Sequence, residues 1–324
     1  MIYAPVCIPT LNRYEHLRKC LESLSCCMGA DQTEVYVALD YPPLDKWDKY
    51  APGWEKNKEF LHSCGDMGFK KLHLIERMEN YGTWKSGDKG NSKHLGMAIR
   101  EKYDRYIFTE DDNVFSPNFL DCMNKGLEMF YDDERTVSIC GYRHFYPIKY
   151  DNNTYFRQSV DYNAWGIGCW THKVKNKPKL DYHWFRKHLS LKNCIRVYKT
   201  NGRGKLLTFL NACQRKWDGQ VIDQYQSVYL TLTNKNQIMP TISLVRNIGL
   251  DESGASFGKI DDELHAQFDN APVSSEQTFE FIGTGYEYFE ENQRIYRDGN
   301  FLTLSNWLFF KSLIKKIIKV ILYP

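Results

Sequence analysis

The feature that most constrains the fold is a regular alternation of short apolar runs and helical patterns over the first 130 residues. Strand patterns, either apolar runs or alternating apolar residues, occur four times, at 6–10, 34–39, 71–76 and 106–109. Helical spacing of apolar residues lies between them, at 14–24 and 93–102. Strands that alternate with helices predict a mainly parallel sheet with helices on its faces. Ligands bind such sheets outside the carboxyl ends of the strands, so functional residues are expected directly after these runs.

The pattern is less regular after residue 130. Strands are predicted at 137–140 and 242–245, and a helix over 222–232. Residues 199–205, which contain Gly202 and Gly204, predict a mobile loop. We expect one domain over residues 1–270, with a nucleotide-binding half at about 1–130 and an acceptor half at about 131–270. A C-terminal extension of unassigned role (271–304) and a basic amphipathic helix (305–324) complete the prediction.

The net positive charge of the chain comes from its last 20 residues. Lys and Arg number 43 and Asp and Glu 40, a balance that argues against nucleic acid as the partner. Residues 305–324 hold four lysines, Lys311, Lys315, Lys316 and Lys319, and no acid, which leaves 39 basic residues against 40 acidic ones elsewhere. Segment 305–324 is too charged to span a bilayer and predicts a helix in the membrane interface. A helix docked on the domain or on a partner is the alternative.

The cysteines and the N-terminus suggest where the protein works. None of the ten cysteines forms a C-x-x-C pair, which favours reduced thiols in a cytosolic protein. The first residues lead directly into an apolar run, without the basic and apolar regions of a secretion signal. We therefore expect a cytoplasmic protein that is peripheral on the inner face of the cell membrane.

The strongest local signal for chemistry is the acidic triplet Glu110-Asp111-Asp112, which follows the fourth apolar run. Three acids at the end of a buried strand repel one another unless a cation or strong donors compensate them. Mg²⁺ accepts one or two carboxylates and completes its coordination with water and phosphate oxygens. The triplet therefore favours metal–diphosphate binding over a solvated acidic turn. Helix capping does not need the acids, because Ser116 predicts the N-cap and Pro117 the first helical position.

Residues 106–120, YIFTEDDNVFSPNFL, resemble the acidic metal motif and following helix of GT-A-fold glycosyltransferases. The Glu-Asp-Asp variant is similar to N-acetylglucosaminyltransferase I and to bacterial family 2-like enzymes. The likeness continues in order along residues 3–258. Residues 8–13, IPTLNR, resemble the opening nucleotide-binding strand, and residues 240–257 resemble the strand and loop that close the site. The resemblance implies a GT-A fold, a Rossmann-like and mainly parallel mixed sheet flanked by helices.

The resemblance also assigns donor-side residues. Asp112 is expected to bind Mn²⁺ or Mg²⁺, Asp111 to face the ribose or the metal's waters, and Glu110 to lie behind them. Pro9 and Thr10 belong to the nucleotide-binding strand.

Arg13 suits a bidentate contact with phosphate, although a surface arginine at the start of a helix is a close alternative. Asp40 lies where the family uses an acid on the uracil, and an Asx-turn before Pro42-Pro43 is the alternative. His94 is a further candidate for nucleotide contact, although a lone helix histidine is more often packed or solvated.

Acceptor-side residues follow from two later segments. Trp165, Gly166 and Trp170 lie in the segment WGIGCW, which resembles the Gly-rich acceptor segment of the family. The two tryptophans are candidates for stacking on sugar and equally for the core. Lys216-Trp217-Asp218 resembles the segment that carries the catalytic base, so Asp218 is the expected base and Asp223 its competitor.

These features predict a metal-dependent, inverting glycosyltransferase. Its expected donor is a nucleoside-diphosphate sugar, most simply a UDP-sugar, and its acceptor a glycan or lipid-linked saccharide of a surface polysaccharide. A hexosyl or N-acetylhexosaminyl group would be transferred. Two alternatives remain: a non-catalytic, membrane-anchored sugar- or nucleotide-binding subunit, and a sugar-phosphate nucleotidyltransferase. The nucleotidyltransferase is disfavoured because no Gly-rich loop follows the first strand.

Overall fold

The computed structural model describes residues 3–82, 90–143, 155–214, 222–251, 253 and 306–322 of the 324-residue chain. The strands of the described residues are β1 (Val6–Thr10), β2 (Glu34–Leu39), β3 (Lys71–Glu76), β4 (Arg105–Phe108), β5 (Asn113–Phe115), β6 (Thr136–Cys140), β7 (Tyr155–Gln158), β8 (Ile167–Trp170), β9 (Asn236–Pro240) and β10 (Val245–Asn247). The α-helices are α1 (Tyr14–Ser25), α2 (Trp47–Ser63), α3 (Asn91–Lys102), α4 (Phe119–Met129), α5 (Thr171–Lys175), α6 (Tyr182–Lys187), α7 (Leu191–Ala212), α8 (Ile222–Thr233) and α9 (Asn306–Leu322).

Eight strands form one mixed sheet in the order β3-β2-β1-β4-β8-β6-β9-β7. The first four of these, β3, β2, β1 and β4, run parallel. Strand β8 is antiparallel to both β4 and β6, β9 is parallel to β6, and β7 closes the edge antiparallel to β9. The predicted fold class is confirmed: a large, mainly parallel α/β sheet flanked by helices, with a further helix at the C-terminus.

The central strand β1 explains why the sheet forms where it does. Val6, Cys7 and Ile8 are each 0% exposed, as a strand with neighbours on both sides and helices on both faces requires. Helix α1 covers it with Leu17 and Leu21, four residues apart on one helical face. Because β1, β2 and β4 are parallel, their carboxyl ends meet at one edge of the sheet, and the candidate site lies there.

A second hydrophobic cluster joins helices α6, α7, α8 and α9, with Phe185, Phe209 and Phe309 among its buried members. The prediction of a loop at 199–205 is wrong, because α7 runs through this segment. Gly202 does interrupt it, with φ 84° and ψ −173°, so the glycine makes a kink rather than a loop. Contacts to distant residues hold the segment: the Asn201 amide donates to the carbonyl of Val160 at 2.7 Å, and Lys205 pairs with Asp161 at 2.9 Å.

Two boundaries near the site also differ from the prediction. Helix α4 begins at Phe119 with Asn118 at the N-cap, so Ser116 is not the cap. Instead the Ser116 hydroxyl donates to the Asn118 side chain at 2.6 Å, and the Phe119 amide closes a turn on the Ser116 carbonyl. The strand predicted at 242–245 is β10, Val245–Asn247, which pairs antiparallel with β5 in a separate ribbon.

The C-terminal helix predicted over 305–324 is α9, and it packs on α6 and α7. Within the described ranges no helix is both long and apolar enough to cross a bilayer. The predicted extension at 271–304 lies outside the described residues.

Candidate functional site

Two buried carboxylates lie in the turn that joins β4 to β5. Asp111 is 4% exposed and Asp112 6% exposed, whereas Glu110 in the same turn is exposed. The turn is tied at its base, because the Asn113 side chain donates to the Thr109 hydroxyl at 2.9 Å. The chain therefore leaves the sheet with two adjacent acids pointing into the protein.

Arg13, at the start of α1, binds both of these carboxylates. Its Nη1 donates to Asp112 Oδ2 at 2.8 Å, and its Nη2 donates to Asp111 Oδ1. The arginine side chain is only 17% exposed, so the alternative of a surface arginine does not describe it. One guanidinium thus spans two acids that lie about a hundred residues away in the sequence and carries one positive charge against their two negative charges.

The last residue of β10 and the loop after it also contact Asp112. The Asn247 amide donates to Asp112 Oδ1 at 2.9 Å, and the Ile248 N–H donates to the Asp112 carbonyl at 2.8 Å. A Cβ on Gly249 would lie 2.1 Å from Asp112 Oδ2, a distance that only glycine avoids. The loop after β10 therefore packs its backbone directly against the carboxylate.

Thr10 and helix α2 hold the β1 side of the site. The Thr10 hydroxyl donates to Asp111 Oδ2 at 2.6 Å and accepts from the Asn57 amide at 3.3 Å. Asn57 is 0% exposed, and its Oδ1 has no hydrogen-bond partner among the described residues. A Cβ on Gly53 would lie 2.1 Å from the Asn12 carbonyl, so α2 approaches the loop that carries Arg13 as closely as backbone allows. The first strand, the Arg13 loop and the acid pair are thus positioned together.

Burial and the shared charge shape the ionisation of this cluster. Burial raises the pKa of Asp111, and the charge of Asp112 raises it further, while Arg13 acts in the opposite direction. Burial by itself would lower the pKa of Arg13, but the two carboxylates outweigh it and raise that pKa above its usual range. The guanidinium therefore stays charged, and its removal would leave two like charges together in a region of low water access.

The donor set has the chemistry of a magnesium or manganese site, because two adjacent carboxylates are ligands that such ions accept. In this arrangement each carboxylate oxygen already receives a hydrogen bond, from Arg13, Thr10 or Asn247. Within the described ranges, no group of three or more His, Cys, Asp or Glu side chains is arranged to hold a metal ion. A metal at Asp112 would thus compete with Arg13 for the same oxygens.

Asp40 lies at the end of β2 and is 4% exposed. Its carboxylate accepts from the backbone N–H groups of Tyr41 at 3.0 Å, Tyr81 at 2.8 Å and Gly82 at 2.8 Å. Burial raises the pKa of Asp40, and these N–H groups counteract that rise. Asp40 therefore fixes the segment 80–82 beside the sheet edge. Its contact with the uracil of a nucleotide stays a prediction. His94 of α3 packs edge-on against Tyr81, with ring centroids 4.8 Å apart, in the same region.

The two tryptophans of the Gly-rich segment 165–170 differ in burial. Trp170 is 0% exposed and its Nε1 donates to the Leu127 carbonyl at 2.8 Å. Such a ring has no free face for a sugar, so stacking on the acceptor is corrected to a core role. Gly166, with φ +66°, leaves no room for a Cβ beside Val245 and Phe119. Trp165 is half-buried on Tyr142, and its acceptor role stays a prediction.

The remaining predicted site residues are divided by what the structure describes. Pro9 is half-buried in β1, next to Thr10. Asp218 lies outside the described residues. Asp223 belongs to α8 by its backbone, and its side chain lies outside the description. The identity of the base stays a prediction.

Sequence reasoning missed two asparagines of the site. Asn57 lies on the apolar face of α2, three residues after Trp54 and four before the buried Leu61, and a polar residue at such a position is a usable signal. Asn247 was part of a segment expected to close the site, but nothing in the sequence indicates that it binds Asp112.

No family model matches the chain, and no curated protein does. Several solved structures are similar to it at a distance. A Pyrobaculum calidifontis mannosyltransferase, PcManGT, solved with GDP-Man and Mn²⁺, matches at 13% identity with a TM-score of 0.37, covering 70% of this chain and 69% of that one. S. aureus TarS residues 1–349 in complex with UDP match at 10% identity and a TM-score of 0.37, covering 84% and 67%.

A further S. aureus TarS structure matches at 12% identity with a TM-score of 0.33, covering 54% of this chain. The match spans only 29% of that TarS chain. PcManGT is a mannosyltransferase solved with a nucleotide sugar, and the TarS structure of residues 1–349 contains UDP.

Proposed function

We propose that the chain is a glycosyltransferase that uses a nucleoside-diphosphate sugar as its donor. The observation that carries the proposal is the buried pair Asp111 and Asp112, which Arg13 and Thr10 of the β1–α1 connection hold at the carboxyl end of β4. An ordinary structural ion pair needs only one acid for one arginine. A second buried carboxylate beside the same guanidinium is instead suited to a site that takes up a further cation together with an anionic substrate.

Arg13 is the residue through which this site would recognise the diphosphate. A guanidinium presents two parallel N–H groups that match phosphate oxygens as well as they match carboxylates. In the described arrangement these N–H groups bind the acid pair. We expect Arg13 to turn to the diphosphate when the donor binds, because a divalent ion on Asp112 takes over the charge that Arg13 compensates.

The metal of this site would be Mg²⁺ or Mn²⁺, held by Asp112 with Asp111 beside it. When bound, such an ion neutralises charge on a diphosphate leaving group. The chain's own contribution is to hold the two carboxylates apart from solvent and in fixed orientations, through Thr10, Asn247 and the backbone at Gly249. Glu110 is exposed and contributes charge to the rim of the site.

The transfer itself needs one base. The bond between the anomeric carbon and the diphosphate oxygen breaks, and a bond to the acceptor oxygen forms. The acceptor's proton passes to a carboxylate, for which we propose Asp218 with Asp223 as the competitor. One base opposite the leaving group implies inversion at the anomeric carbon. The donor we propose is a UDP-sugar that carries a hexosyl or N-acetylhexosaminyl group.

The acceptor we propose is a glycan or lipid-linked saccharide in the synthesis of a surface polysaccharide. Asp40, with Tyr81 and His94 beside it, is the proposed contact for the base of the nucleotide, and Trp165 for the acceptor. The work would take place on the inner face of the cell membrane.

The test compares Asp112→Asn with Asp104→Asn. The two substitutions lie at opposite ends of β4. Asp104 lies just before the strand, its side chain is 59% exposed, and it forms an ion pair with its neighbour Arg105. Asp112→Asn is expected to remove Mn²⁺-dependent stabilisation by UDP and to lower UDP-sugar turnover by about a hundredfold or more, as loss of a charge-stabilising group does. Asp104→Asn is expected to keep both. Full turnover in Asp112→Asn would contradict the assignment of Asp112.

The products separate the proposal from its rivals. Release of UDP from a UDP-sugar supports transfer or hydrolysis of the donor, whereas release of pyrophosphate from UTP and a sugar phosphate would identify a nucleotidyltransferase. Stabilisation by nucleotide sugar without turnover would identify a binding subunit. Asp218→Asn and Asp223→Asn, assayed for UDP binding and for transfer, identify the base as the one variant that keeps binding and loses transfer.

A further inference from the structure

Helix α9 is attached to the protein along one narrow stripe. Phe309 is 5% exposed and stacks on Tyr198 of α7 with centroids 6.2 Å apart, and the Arg203 guanidinium lies 5.2 Å from its ring. About two turns further on, Lys316 donates to Asn211 Oδ1 at 2.9 Å. Near the end of the helix the carbonyl of Val320 accepts from Arg186 at 2.9 Å. Positions 309, 316 and 320 share one face, so this face is the one that docks.

Beside the docked stripe the helix presents a band of exposed apolar side chains. Its members point to one side of the helix, since successive residues are rotated by about 100° and these positions fall within an arc of about 100°. They are Trp307 (73% exposed), Phe310 (56%), Ile314 (57%), Ile317 (42%) and Ile318 (48%). Scattered apolar residues are normal on a surface, but a contiguous band that contains Trp and Phe marks an interaction surface.

Three lysines border this band on its far side. Lys311, Lys315 and Lys319 are exposed and lie four residues apart, so each turn of the helix places one ammonium group on the same line. No acid lies among residues 306–322. Lys316 does not belong to this line, because it faces Asn211 and burial lowers its pKa. Together the apolar band and the three lysines define the outer face of α9.

The helix that carries α9 also has an exposed apolar stripe. Leu191, Ile195 and Tyr198 are 78%, 46% and 41% exposed, and their spacing places them on one stripe of α7. Tyr198 is also the residue on which Phe309 stacks. Through this contact the exposed apolar stripe of α7 adjoins α9.

The charges decide what this surface binds. In a symmetric dimer built on the outer face of α9, lysines of one copy would meet lysines of the other without an acid between them. An anionic bilayer offers the complement that is missing, since it accepts apolar side chains at the level of its acyl chains and lysines at its headgroups. We propose that the outer face of α9, with the adjoining stripe of α7, binds the surface of an anionic lipid bilayer while the inner stripe stays docked on the protein.

The structure supplies a matched pair of variants for the charged part of this surface. Lys315→Gln and Lys316→Gln remove the same charge from adjacent positions of one helix, but only Lys315 is on the outer face. In co-sedimentation with vesicles of phosphatidylcholine and phosphatidylserine, Lys315→Gln is expected to bind about fivefold more weakly than the parent chain. Lys316→Gln is expected to bind as the parent does, because glutamine still donates to Asn211. Equal losses in both variants would overturn the proposed orientation.

A second pair tests the apolar band. Ile314→Ser with Ile318→Ser is expected to abolish binding and to leave the Tm unchanged, since both side chains are exposed in the free protein. Vesicles of phosphatidylcholine alone, or raised salt, are expected to weaken binding of the parent chain. A blue shift of Trp fluorescence on vesicles should be reduced in Trp307→Phe.

Unchanged binding by the double serine variant would overturn the proposal. So would a concentration-dependent dimer that the double variant dissociates. Neither outcome involves sugar transfer, so these experiments test bilayer binding by α9 independently of the proposed activity.

Discussion

Replacing Arg13 by glutamine removes the charge that two buried carboxylates share, and we expect it to destabilise the protein strongly. Glutamine preserves most of the length and part of the hydrogen bonding, so the main loss is electrostatic. At an effective dielectric constant of about 20, each contact of this kind is worth roughly 4 kcal/mol before desolvation is subtracted. Breaking a buried pair by removing one partner typically costs about 3–5 kcal/mol. For a protein of this size the Tm is therefore expected to fall by about 4–7 °C.

Arg18→Gln is the matched control for this prediction. Arg18 lies in α1, the helix that follows Arg13, and also contacts two carboxylates, Glu15 at 3.2 Å and Glu22 at 2.6 Å, but these carboxylates are solvent-exposed. Exposed pairs contribute little to stability because water and salt screen them. Thermal unfolding of both variants, followed by circular dichroism, is expected to show a large fall in Tm for Arg13→Gln and almost none for Arg18→Gln.

The same two variants report on the metal. Mn²⁺ and the Arg13 guanidinium use the same carboxylate oxygens, so loss of the guanidinium leaves those oxygens open to the ion. Ligand that binds only the folded state raises its apparent stability. We therefore expect Mn²⁺ to raise the Tm of Arg13→Gln more than that of the parent chain or of Arg18→Gln. If Arg13→Gln were as stable as Arg18→Gln, Arg13 would not be the counter-ion of the acid pair.

Three further variants test neighbouring parts of the structure. Gly249→Ala places a Cβ 2.1 Å from Asp112 Oδ2, so we expect a loss of about 1–3 kcal/mol and a weaker thermal response to UDP with Mn²⁺. Trp170→Ala empties a fully buried site and should cost about 3–5 kcal/mol in urea unfolding, whether or not sugar is present. Burial raises the pKa of Glu34, but hydrogen bonds outweigh this and lower it from 4.5 to about 2. The ionised Glu34 therefore stabilises the fold above pH 4.5, and the Tm advantage over Glu34→Gln should shrink as the pH falls from 4.5 towards 2.

The first half of the sheet could be predicted from the sequence because each strand has a local pattern, an apolar run in β1 and alternating apolar residues in β2 and β3. The predicted bounds 6–10, 34–39 and 71–76 coincide with β1, β2 and β3. Nearly every residue of β1 and β2 is buried, whereas β3, at the edge of the sheet, is mostly half-buried. The composition of each strand reflects this difference. The parallel order then placed Thr10, Asp40 and the acid pair at one edge without any knowledge of side-chain contacts.

Side-chain partners could not be predicted in the same way. Arg13 and Asp112 are 99 residues apart, and the sequence offered a phosphate contact and a surface position for Arg13 but not a bond to the acids. In segment 199–205 local glycines predicted a loop, while contacts from Asn201 and Lys205 to Val160 and Asp161, just after β7, hold a segment that is helical on either side of Gly202. In each case the decisive partner lies far away in the sequence, where neither periodicity nor propensity carries information.

The C-terminal helix shows a finer limit of the same kind. The sequence predicted an amphipathic helix and treated membrane binding and docking as alternatives, with Lys316 beside the other lysines. The structure separates Lys316 from the other lysines, because Lys316 faces Asn211 on the docked stripe and the remaining three lysines face outward. Since α9 has apolar residues on most of its circumference, its composition alone does not say which of them the protein covers. One helix can therefore satisfy both alternatives with different faces.

The contact with Arg13 changes how the charge of the acid pair is explained. Adjacent acids at the end of a buried strand require a compensating cation, and from the sequence a metal ion was the natural candidate. The chain supplies a cation of its own, which satisfies the need for stability but neutralises only one of the two charges. A fold that needed no further cation would gain from a neutral residue at Asp111 or Asp112. The presence of both carboxylates beside a single guanidinium therefore favours a second, exchangeable cation. It makes the Mn²⁺ response of Arg13→Gln the measurement on which the metal assignment depends.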